Sequence, residues 1–343
     1  MMKEAIAKVV AGIDLSEAEM VGVMETIMGG EATQAQIGAF ITALRIKGET
    51  VDEITGAARV MRAKATKVHG VAEGDILVDT CGTGGDASGT FNVSTTTAFV
   101  VAAAGVPVAK HGNRSVSSHC GSADVLEALG VNLSLSAEQI GQSIREIGIG
   151  FMFAPALHGA MKHAIGPRRE IGIRTIFNIL GPLTNPAGAN VQILGVYDPS
   201  LTETLAKVLG RLGTRRALVV CGEGNLDEIT ITGTTKVSDW ANGEMTTYTI
   251  HPSELGMATA SLAEIKGGTT AAEAAVQLRS VLSGKAGPCL NMVLLNAGAA
   301  LMAAGRSDDL ASGVALAREV VASGAALNKV DVLVAFSKSG KNQ

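Results

Sequence analysis

The sequence predicts an α/β protein: a small all-helical N-terminal domain, followed by a large α/β domain with a central, mostly parallel sheet flanked by helices. Residues 1–66 carry only helix signals. From about residue 70, short apolar runs alternate with helical stretches, a pattern typical of a parallel sheet covered by helices on its faces. We expect the small domain to span residues 1–68 and the large domain residues 69–343.

Three capping boxes divide the N-terminal segment. In each box a Ser or Thr is followed three residues later by Glu or Gln, a spacing that satisfies backbone N–H groups at the start of a helix. Apolar residues then recur at helical spacing. The pattern predicts three or four helices, beginning near the boxes Ser16/Glu19, Thr33/Gln36 and Thr50/Glu53.

Short apolar runs predict the strands of the large domain. Five of them are separated by helical stretches and lie at 76–78, 106–109, 149–153, 192–197 and 217–221. The helical stretches cover 93–104, 122–129, 136–146 and 201–212. Residues 228–250 instead favour antiparallel strands, with turn signals at Gly233 and Asn242-Gly243, and residues 271–337 return to helices. Ligands of such sheets bind at the carboxyl ends of the strands.

The composition excludes several classes of protein. The chain has 343 residues, with 28 Lys and Arg against 32 Asp and Glu, and only ten Phe, Trp and Tyr together. Neither a basic surface nor a set of stacking aromatics is available for nucleic acid. The longest apolar runs, 98–109 and 292–305, are too short to span a bilayer. We expect a soluble, cytoplasmic enzyme with reduced cysteines and neither nucleic acid nor membrane as a partner.

The first unusual loop follows the first strand and reads VDTCGTGGD at 78–86. Its three glycines permit either a tight turn or a close approach of backbone N–H groups to an anion. A dinucleotide site is disfavoured, because the second strand ends in Lys110-His111 where that motif requires an acidic residue. The helix start Asn92-Val93-Ser94-Thr95 adds hydroxyls and free N–H groups. This favours a phosphate cradle over a simple turn.

The second loop, 110–118, follows the second strand and reads KHGNRSVSS. It combines two cations, an imidazole, an amide and three hydroxyls, and it contains no carboxylate. A solvated basic turn would usually include Asp or Glu, so an anion-binding loop is favoured. His111 alone would most often be structural, but these neighbours favour a role in the site. Ser122 is expected to cap the helix that follows.

The third loop, 222–228, follows the fifth predicted strand and ends in Asp227-Glu228. Adjacent carboxylates diverge, so this pair fits two ions, or one ion directly and its waters indirectly. Oxygen ligands of this kind suit Mg²⁺, which shares substrate phosphates. The three loops together predict an enzyme acting on a magnesium–pyrophosphate substrate, with the second substrate not identified by the residues alone.

Four motifs, taken in order, resemble those of the anthranilate phosphoribosyltransferase family. This family belongs to the class III phosphoribosyltransferases, which have a nucleoside phosphorylase-like fold. The motifs are CGTGGD (81–86), FNVST (91–95), KHGNRSVSSxxGSADVLEALG (110–130) and GIRTIFNILGPLTNPA (172–187). The resemblance extends over essentially the whole chain. The family often has Lys-Ser where this chain has His119-Cys120. The resemblance implies a homodimer joined through the helical domain, with an active-site cleft between the domains. It also implies that a segment of about 173–188 packs onto residues 1–66.

The resemblance also implies which residues bind 5-phosphoribosyl 1-pyrophosphate (PRPP). The glycine loop and the following helix start supply Gly82, Gly85, Asp86, Thr90, Asn92, Val93, Ser94 and Thr95. The cationic loop supplies Lys110, His111, Gly112, Asn113, Arg114, Ser115, Val116, Ser117 and Ser118, and Ser122 adds a further contact. Ser94, Asp227 and Glu228 match the family's magnesium ligands, and we expect two Mg²⁺ ions per monomer.

The resemblance further implies that Gly82, Asn113 and Arg168 meet anthranilate. The neighbouring Arg169 leaves open which arginine faces the substrate. The implied reaction, a step of tryptophan biosynthesis, displaces pyrophosphate from C1 of the ribose by the amine of anthranilate. Lys110 and magnesium would stabilise the leaving group, and the fork of Arg168 would bind the carboxylate. His111 is expected to orient the amine.

Two other functions compete with this hypothesis. A nucleoside phosphorylase of the same fold would need neither the Asp-Glu metal pair nor the FNVST cradle. A non-enzymatic nucleic-acid binder would need a basic surface, whereas this chain has a net charge of -4.

Overall fold

The computed structural model describes residues 1–86, 88–114 and 120–339. Four helices precede the first strand: α1 Met2–Val10, α2 Glu17–Met28, α3 Gln34–Lys47 and α4 Val51–Lys64. The capping boxes predicted for α2, α3 and α4 are all formed, with each Ser or Thr side chain accepting a hydrogen bond from the backbone three residues on. The helical prediction for residues 1–66 is therefore confirmed.

Seven strands form one sheet in the order β3-β2-β1-β4-β5-β6-β7. They are β1 Val78–Gly82, β2 Val108–Gly112, β3 Ile149–Phe153, β4 Val191–Gly195, β5 Arg216–Gly222, β6 Thr235–Ala241 and β7 Glu244–Ile250. Strands β1 to β5 are parallel, whereas β6 and β7 pair antiparallel. The predicted fold class is confirmed. The predicted bounds of the first two strands, 76–78 and 106–109, are displaced toward the N-terminus. The strands β1 and β2 begin later and continue into the polar residues that follow each apolar run.

The remaining helices lie between and after these strands. They are α5 Val93–Ala103, α6 Ser122–Ala128, α7 Ala137–Ile147, α8 Ala154–Leu157, α9 Lys162–Ile171, α10 Ile176–Leu180, α11 Leu201–Arg211, α12 Ala271–Leu282, α13 Pro288–Ala303, α14 Leu310–Ala322 and α15 Ala325–Ser339. No single helix in the described residues is long and apolar enough to cross a membrane. The bent pair α14 and α15 meets the length and hydropathy criteria when taken together.

Side chains of the strands alternate between two apolar layers. Ile193 and Leu218 face the layer that contains α5 and α13. Leu194 and Val219 face the opposite layer, which contains α11 and the N-terminal helices. This alternation is the two-residue period of a strand buried on both faces. The sheet is therefore covered by apolar side chains on both faces, and its carboxyl edge lies between these layers.

The segment around α10 packs against the N-terminal helices. Phe177, Ile179 and Leu180 share a core with α2, α3 and α4. Arg62 on α4 fixes the chain beyond α10, since its Nε donates to the carbonyl of Leu183 at 2.7 Å. The division of the chain at residues 68 and 69 stays a prediction.

The order of the strands reverses at β1, because β2 and β3 lie on one side of it and β4 and β5 on the other. Such a switch point opens a crevice at the carboxyl ends of the strands, where α/β proteins bind ligands. The three loops that the sequence analysis singled out follow β1, β2 and β5, so they all lie at this edge.

Candidate active site

The glycine loop and the acidic loop touch directly. The backbone N–H of Gly84 donates to Oδ2 of Asp227 at 2.7 Å. A Cβ at Gly82 would collide with the same carboxylate, and a Cβ at Gly195 would collide with the backbone carbonyl of Asp227. Glycine at the ends of β1 and β4 therefore leaves the space that Asp227 occupies. Glycine is required here for close approach.

The acidic loop also reaches the start of α5. Oε1 of Glu228 accepts a hydrogen bond from the backbone N–H of Ser94 at 3.1 Å. Asn92 is the N-cap of this helix, and its Nδ2 donates to the carbonyl of Cys120 at 3.1 Å. A helix N-terminus attracts negative charge, so the carboxylate of Glu228 lies where an anionic ligand would also be stabilised.

The two adjacent carboxyl groups accept hydrogen bonds from different segments, Asp227 from Gly84 and Glu228 from Ser94. Burial, the charge of Asp86 and a hydrogen bond with that carboxyl raise the pKa of Asp227 to about 7. Burial and the charge of Asp227 raise the pKa of Glu228 well above its usual range. Among the described residues, no group of three or more His, Cys, Asp and Glu forms a ready-made metal centre. A cation at this edge would relieve the repulsion among the three carboxyl groups.

Lys110 connects the second loop to the other two. Its side chain is buried, and its Nζ donates to the carbonyl of Thr80 at 2.5 Å and to Oγ of Ser94 at 3.4 Å. The ammonium group thus lies between Thr80, in the middle of β1, and the first turn of α5. All three loops predicted to converge are joined by hydrogen bonds at one edge of the sheet.

A buried carboxylate that the sequence analysis missed lies below Lys110. Asp79 is fully buried in β1. Its Oδ1 accepts from the backbone N–H of His111 at 3.2 Å, and its Oδ2 accepts from Nδ2 of Asn185 at 2.8 Å. Burial raises the pKa of Asp79, and the positive charge of Lys110 opposes the rise. The sequence did contain a signal for this residue, since Asp79 is an acidic residue inside a strand that is followed by glycines.

His111 forms a pair with a second histidine outside the motif. Its Nε2 lies 3.2 Å from Nε2 of His158, and both rings are buried. Burial, the neighbouring His158 and the charge of Lys110 lower the pKa of His111 to about 3. Burial and the charge of Lys67 lower the pKa of His158 to about 4. Both rings are neutral at physiological pH, which suits an orienting group better than a proton donor.

Two described residues of the cationic loop, Asn113 and Arg114, form contacts within the protein. Arg114 forms ion pairs at 2.8 Å with Asp124 and Glu127. Asn113 is exposed, and its carbonyl accepts from Oγ of Ser122 at 3.3 Å. The prediction that Ser122 caps the next helix is wrong: Gly121 is the N-cap, and Ser122 is the first helical residue. The residues Ser115, Val116, Ser117 and Ser118 lie outside the described residues.

Most of the other residues predicted to bind PRPP lie on the glycine loop and at the start of α5. Asp86 accepts hydrogen bonds from the N–H and hydroxyl of Ser88 at 3.1 and 2.6 Å. Thr90 forms an isolated bridge with Lys266. The structure places the other residues predicted to contact PRPP at the same edge of the sheet. They are Gly85 in the glycine loop, Gly112 at the end of β2, and the buried Val93 and Thr95 in the first turn of α5.

Arg168 and Arg169 differ in exposure. Arg168 is half-buried on α9, with its guanidinium carbon 5.2 Å from the ring centroid of Phe177. Arg169 is exposed. Burial lowers the pKa of Arg168. Of the two, Arg168 is therefore the arginine that turns inward. A third arginine, Arg174, stacks on Tyr197 with its guanidinium carbon 4.0 Å from the ring centroid, and the sequence analysis assigned it no role.

Comparison with known proteins supports the fold and the motifs. The a/b domain of the glycosyl transferase family matches residues 74–327, and the helical bundle domain of that family matches residues 3–65. The chain is 64% identical over 336 residues to an anthranilate phosphoribosyltransferase of Desulfotalea psychrophila, covering 98% of this chain and 97% of the relative. It is 58% identical to one from Moorella thermoacetica, with 99% of both chains covered.

Solved structures agree. The crystal structure of anthranilate phosphoribosyltransferase from Thermus thermophilus superimposes with a TM-score of 0.92 at 45% identity, covering 97% of this chain and 99% of that chain. The Saccharomyces cerevisiae enzyme, solved in complex with PRPP and Mg, gives a TM-score of 0.89 at 26% identity and covers 98% of both chains.

The fold and its two matched domains define a two-domain glycosyl transferase. Within that class, the chain belongs to the anthranilate phosphoribosyltransferase family. The resemblance inferred from the four sequence motifs is confirmed.

Proposed function

We propose that this protein transfers the phosphoribosyl group of PRPP to the amine of anthranilate, giving N-(5-phosphoribosyl)anthranilate and pyrophosphate in tryptophan biosynthesis. One observation carries the proposal beyond family membership. The glycine loop, the start of α5 and the Asp227-Glu228 pair are joined by two hydrogen bonds from backbone N–H groups to carboxylates, and the ammonium of Lys110 lies beside them. This combination suits a diphosphate accompanied by a divalent cation.

The donor binds across these loops in our proposal. Backbone N–H groups of the glycine loop and the positive end of α5 attract the diphosphate. Asn92 and Thr95 hold its phosphates, and we assign the residues of the loop 110–118 and Ser122 as further contacts to the same substrate. Asp86 holds the hydroxyl and N–H of Ser88, which shapes the loop that meets the ribose.

Magnesium is the metal that the donor set fits. Hard oxygen ligands from one hydroxyl and two carboxylates suit a small divalent ion that shares substrate phosphates. We assign Ser94, Asp227 and Glu228 as ligands. Two ions per monomer are proposed because the adjacent carboxylates point to different neighbours, Gly84 and Ser94. When bound, magnesium supplies positive charge to the leaving pyrophosphate.

Lys110 supplies fixed positive charge at the same place. Its Nζ is held by the Thr80 carbonyl and by Ser94, so no reorganisation is needed as negative charge grows on the leaving group. A preorganised charge in a site shielded from water stabilises such a transition state more strongly than it would in bulk solvent.

Anthranilate binds near Gly82, Asn113 and Arg168 in this proposal. The fork of the Arg168 guanidinium matches a carboxylate. The aromatic amine is already unprotonated at neutral pH, so the acceptor needs orientation rather than a strong base. His111, held neutral against His158, suits that positioning task.

We also propose a cytoplasmic homodimer joined through the helical domain. This domain exposes large apolar side chains, with Val10 70%, Ile13 52% and Ile46 81% accessible. We assign these three side chains to the proposed interface, since an apolar patch that they formed together would mark a protein–protein contact. The four cysteines are free, as expected for a reducing compartment.

The direct test follows the fluorescence of anthranilate in the presence of PRPP and MgCl₂. We expect fluorescence to fall only when protein, PRPP and Mg²⁺ are all present. Thymidine with inorganic phosphate serves as the competing assay. Release of thymine without consumption of anthranilate would show that the protein is a nucleoside phosphorylase instead.

A further inference from the structure

We propose that Arg174 is a positioning residue for the glycine loop and that it sets, through this loop, the affinity for the phosphoribosyl donor. The proposal rests on the proposed function, because it takes the glycine loop to be part of the donor site.

The guanidinium of Arg174 lies between an aromatic ring and the glycine loop. Its central carbon is 4.0 Å from the ring centroid of Tyr197, a distance at which the ring face and the cation attract each other. A Cβ built on Gly85 would lie 2.9 Å from Nη2 and 3.3 Å from both the central carbon and Nε. These similar separations indicate that the flat guanidinium covers the Cα of Gly85.

The covered part of the loop needs such support. Gly84 and Gly85 have φ angles of +66° and +76°, a left-handed conformation that glycine adopts and leaves at little cost. Asp227 holds one side of this turn through the N–H of Gly84. Arg174 packs against Gly85, so the two consecutive left-handed residues are held by two different segments of the chain.

Arg174 couples the glycine loop to the segment around α10. It lies between α9 and α10, one residue before the N-cap of α10, and α10 packs on the N-terminal helices. Tyr197 follows β4 at the carboxyl edge of the sheet. The position of α10 relative to the sheet is therefore transmitted to Gly85 through one stacked side chain.

The contacts of Arg174 differ from those of an arginine that only stabilises the fold. Arg62, for comparison, donates to the carbonyls of Leu183 and Leu212 at 2.7 and 3.0 Å. Arg174 forms no hydrogen bond or ion pair with any residue in 1–86, 88–114 or 120–339; it stacks on the ring of Tyr197 and lies against Gly85. Burial raises the pKa of Tyr197, so its ring is a neutral phenol at physiological pH.

The test compares Arg174→Ala with wild-type protein in two measurements. Calorimetric titration of PRPP with Mg²⁺, without anthranilate, gives the donor Kd, and steady-state kinetics give both KM values. We expect the Kd and KM for PRPP to rise about tenfold, which corresponds to about 1.4 kcal/mol. The KM for anthranilate and the Tm should stay near wild type. Arg318→Ala, at an exposed arginine on α14, is the matched control and should change neither KM.

Variants of the partner ring separate stacking from other effects. Tyr197→Phe keeps the ring and should behave as wild type, whereas Tyr197→Leu should reproduce Arg174→Ala. Because the two residues act through one contact, the double variant Arg174→Ala with Tyr197→Leu should be no weaker in PRPP binding than either single variant. Arg174→Lys keeps the positive charge but loses the planar guanidinium group, so it should retain only part of the affinity for PRPP.

Two results would overturn the inference. One is an unchanged donor Kd in Arg174→Ala. The other is an equal rise in both KM values together with a lower Tm, which would show a purely structural role. Wild-type protein that binds PRPP but does not consume anthranilate would defeat the proposed acceptor and leave the inference standing. Wild-type protein that does not bind PRPP would overturn both.

Discussion

The metal-free protein should become more stable when Asp227 loses its charge, although the same change abolishes function. The pKa of Asp227 is raised from 3.8 to about 7, first by burial and then by Asp86. A rise of about three units at about 1.36 kcal/mol each sets an upper limit of about 4 kcal/mol. Relaxation of the loop reduces the effect, so we expect Asp227→Asn to gain about 1–2 kcal/mol at pH 8.

The sign of the pH dependence follows from the raised pKa. Below about pH 4 the carboxyl is protonated in both the folded and the unfolded protein, so the charge adds nothing. Between pH 4 and pH 7 only the unfolded protein ionises, and the wild type loses stability as the pH rises. Above pH 7 the full penalty is present. The advantage of Asp227→Asn should therefore be small at pH 4.5 and largest at pH 8.

Urea unfolding at these two pH values, after treatment with EDTA, measures the effect. Asp198→Asn is a control with the opposite sign, because hydrogen bonds from Ser200 lower the pKa of Asp198 and the charge there stabilises the folded state. Added Mg²⁺ with pyrophosphate should stabilise the wild type more than Asp227→Asn. A variant that is less stable than the wild type at pH 8, or equally changed at both pH values, would refute this account of the acidic loop.

Three further predictions concern the other parts of the site. Lys110→Met should lower kcat by about 100-fold through loss of preorganised charge, measured by anthranilate fluorescence; a loss below about threefold would contradict the role of Lys110. Arg168→Ala should raise the KM for anthranilate at least about tenfold, with the KM for PRPP nearly unchanged, and equal effects on both substrates would count against its assignment. Gly195→Ala should abolish PRPP binding and lower the Tm, because a Cβ there meets the backbone of Asp227; normal binding would show that the acidic loop is not held against β4.

The helices and the buried parts of the strands could be predicted because their signals are local. Capping boxes determine where α2, α3 and α4 begin. The predicted strand bounds failed at β1 and β2, where Asp79 and Lys110 extend the strands with buried polar side chains. An apolar run cannot show this extension, because these groups are buried only through hydrogen bonds formed with distant segments.

The candidate site was predictable where its residues share a loop, and not where they meet across the fold. The glycine loop and the Asp227-Glu228 pair stand out as motifs. His158 and Asn185 do not, since their roles arise from contacts with His111 and Asp79, residues that are 47 and 106 positions away. Arg174 stayed unassigned within a recognised motif, because its significance lies in the ring and the glycine that it touches.

A crystal structure with PRPP and Mn²⁺ in place of Mg²⁺ tests the central claim most directly, because manganese gives an anomalous signal. We predict at least one anomalous peak bonded to a carboxylate of Asp227 or Glu228, at about 2.1 Å. The diphosphate should lie at the N-terminus of α5, within hydrogen-bonding distance of Lys110. A diphosphate bound elsewhere on the molecule, or manganese with neither carboxylate as a ligand, would contradict the account.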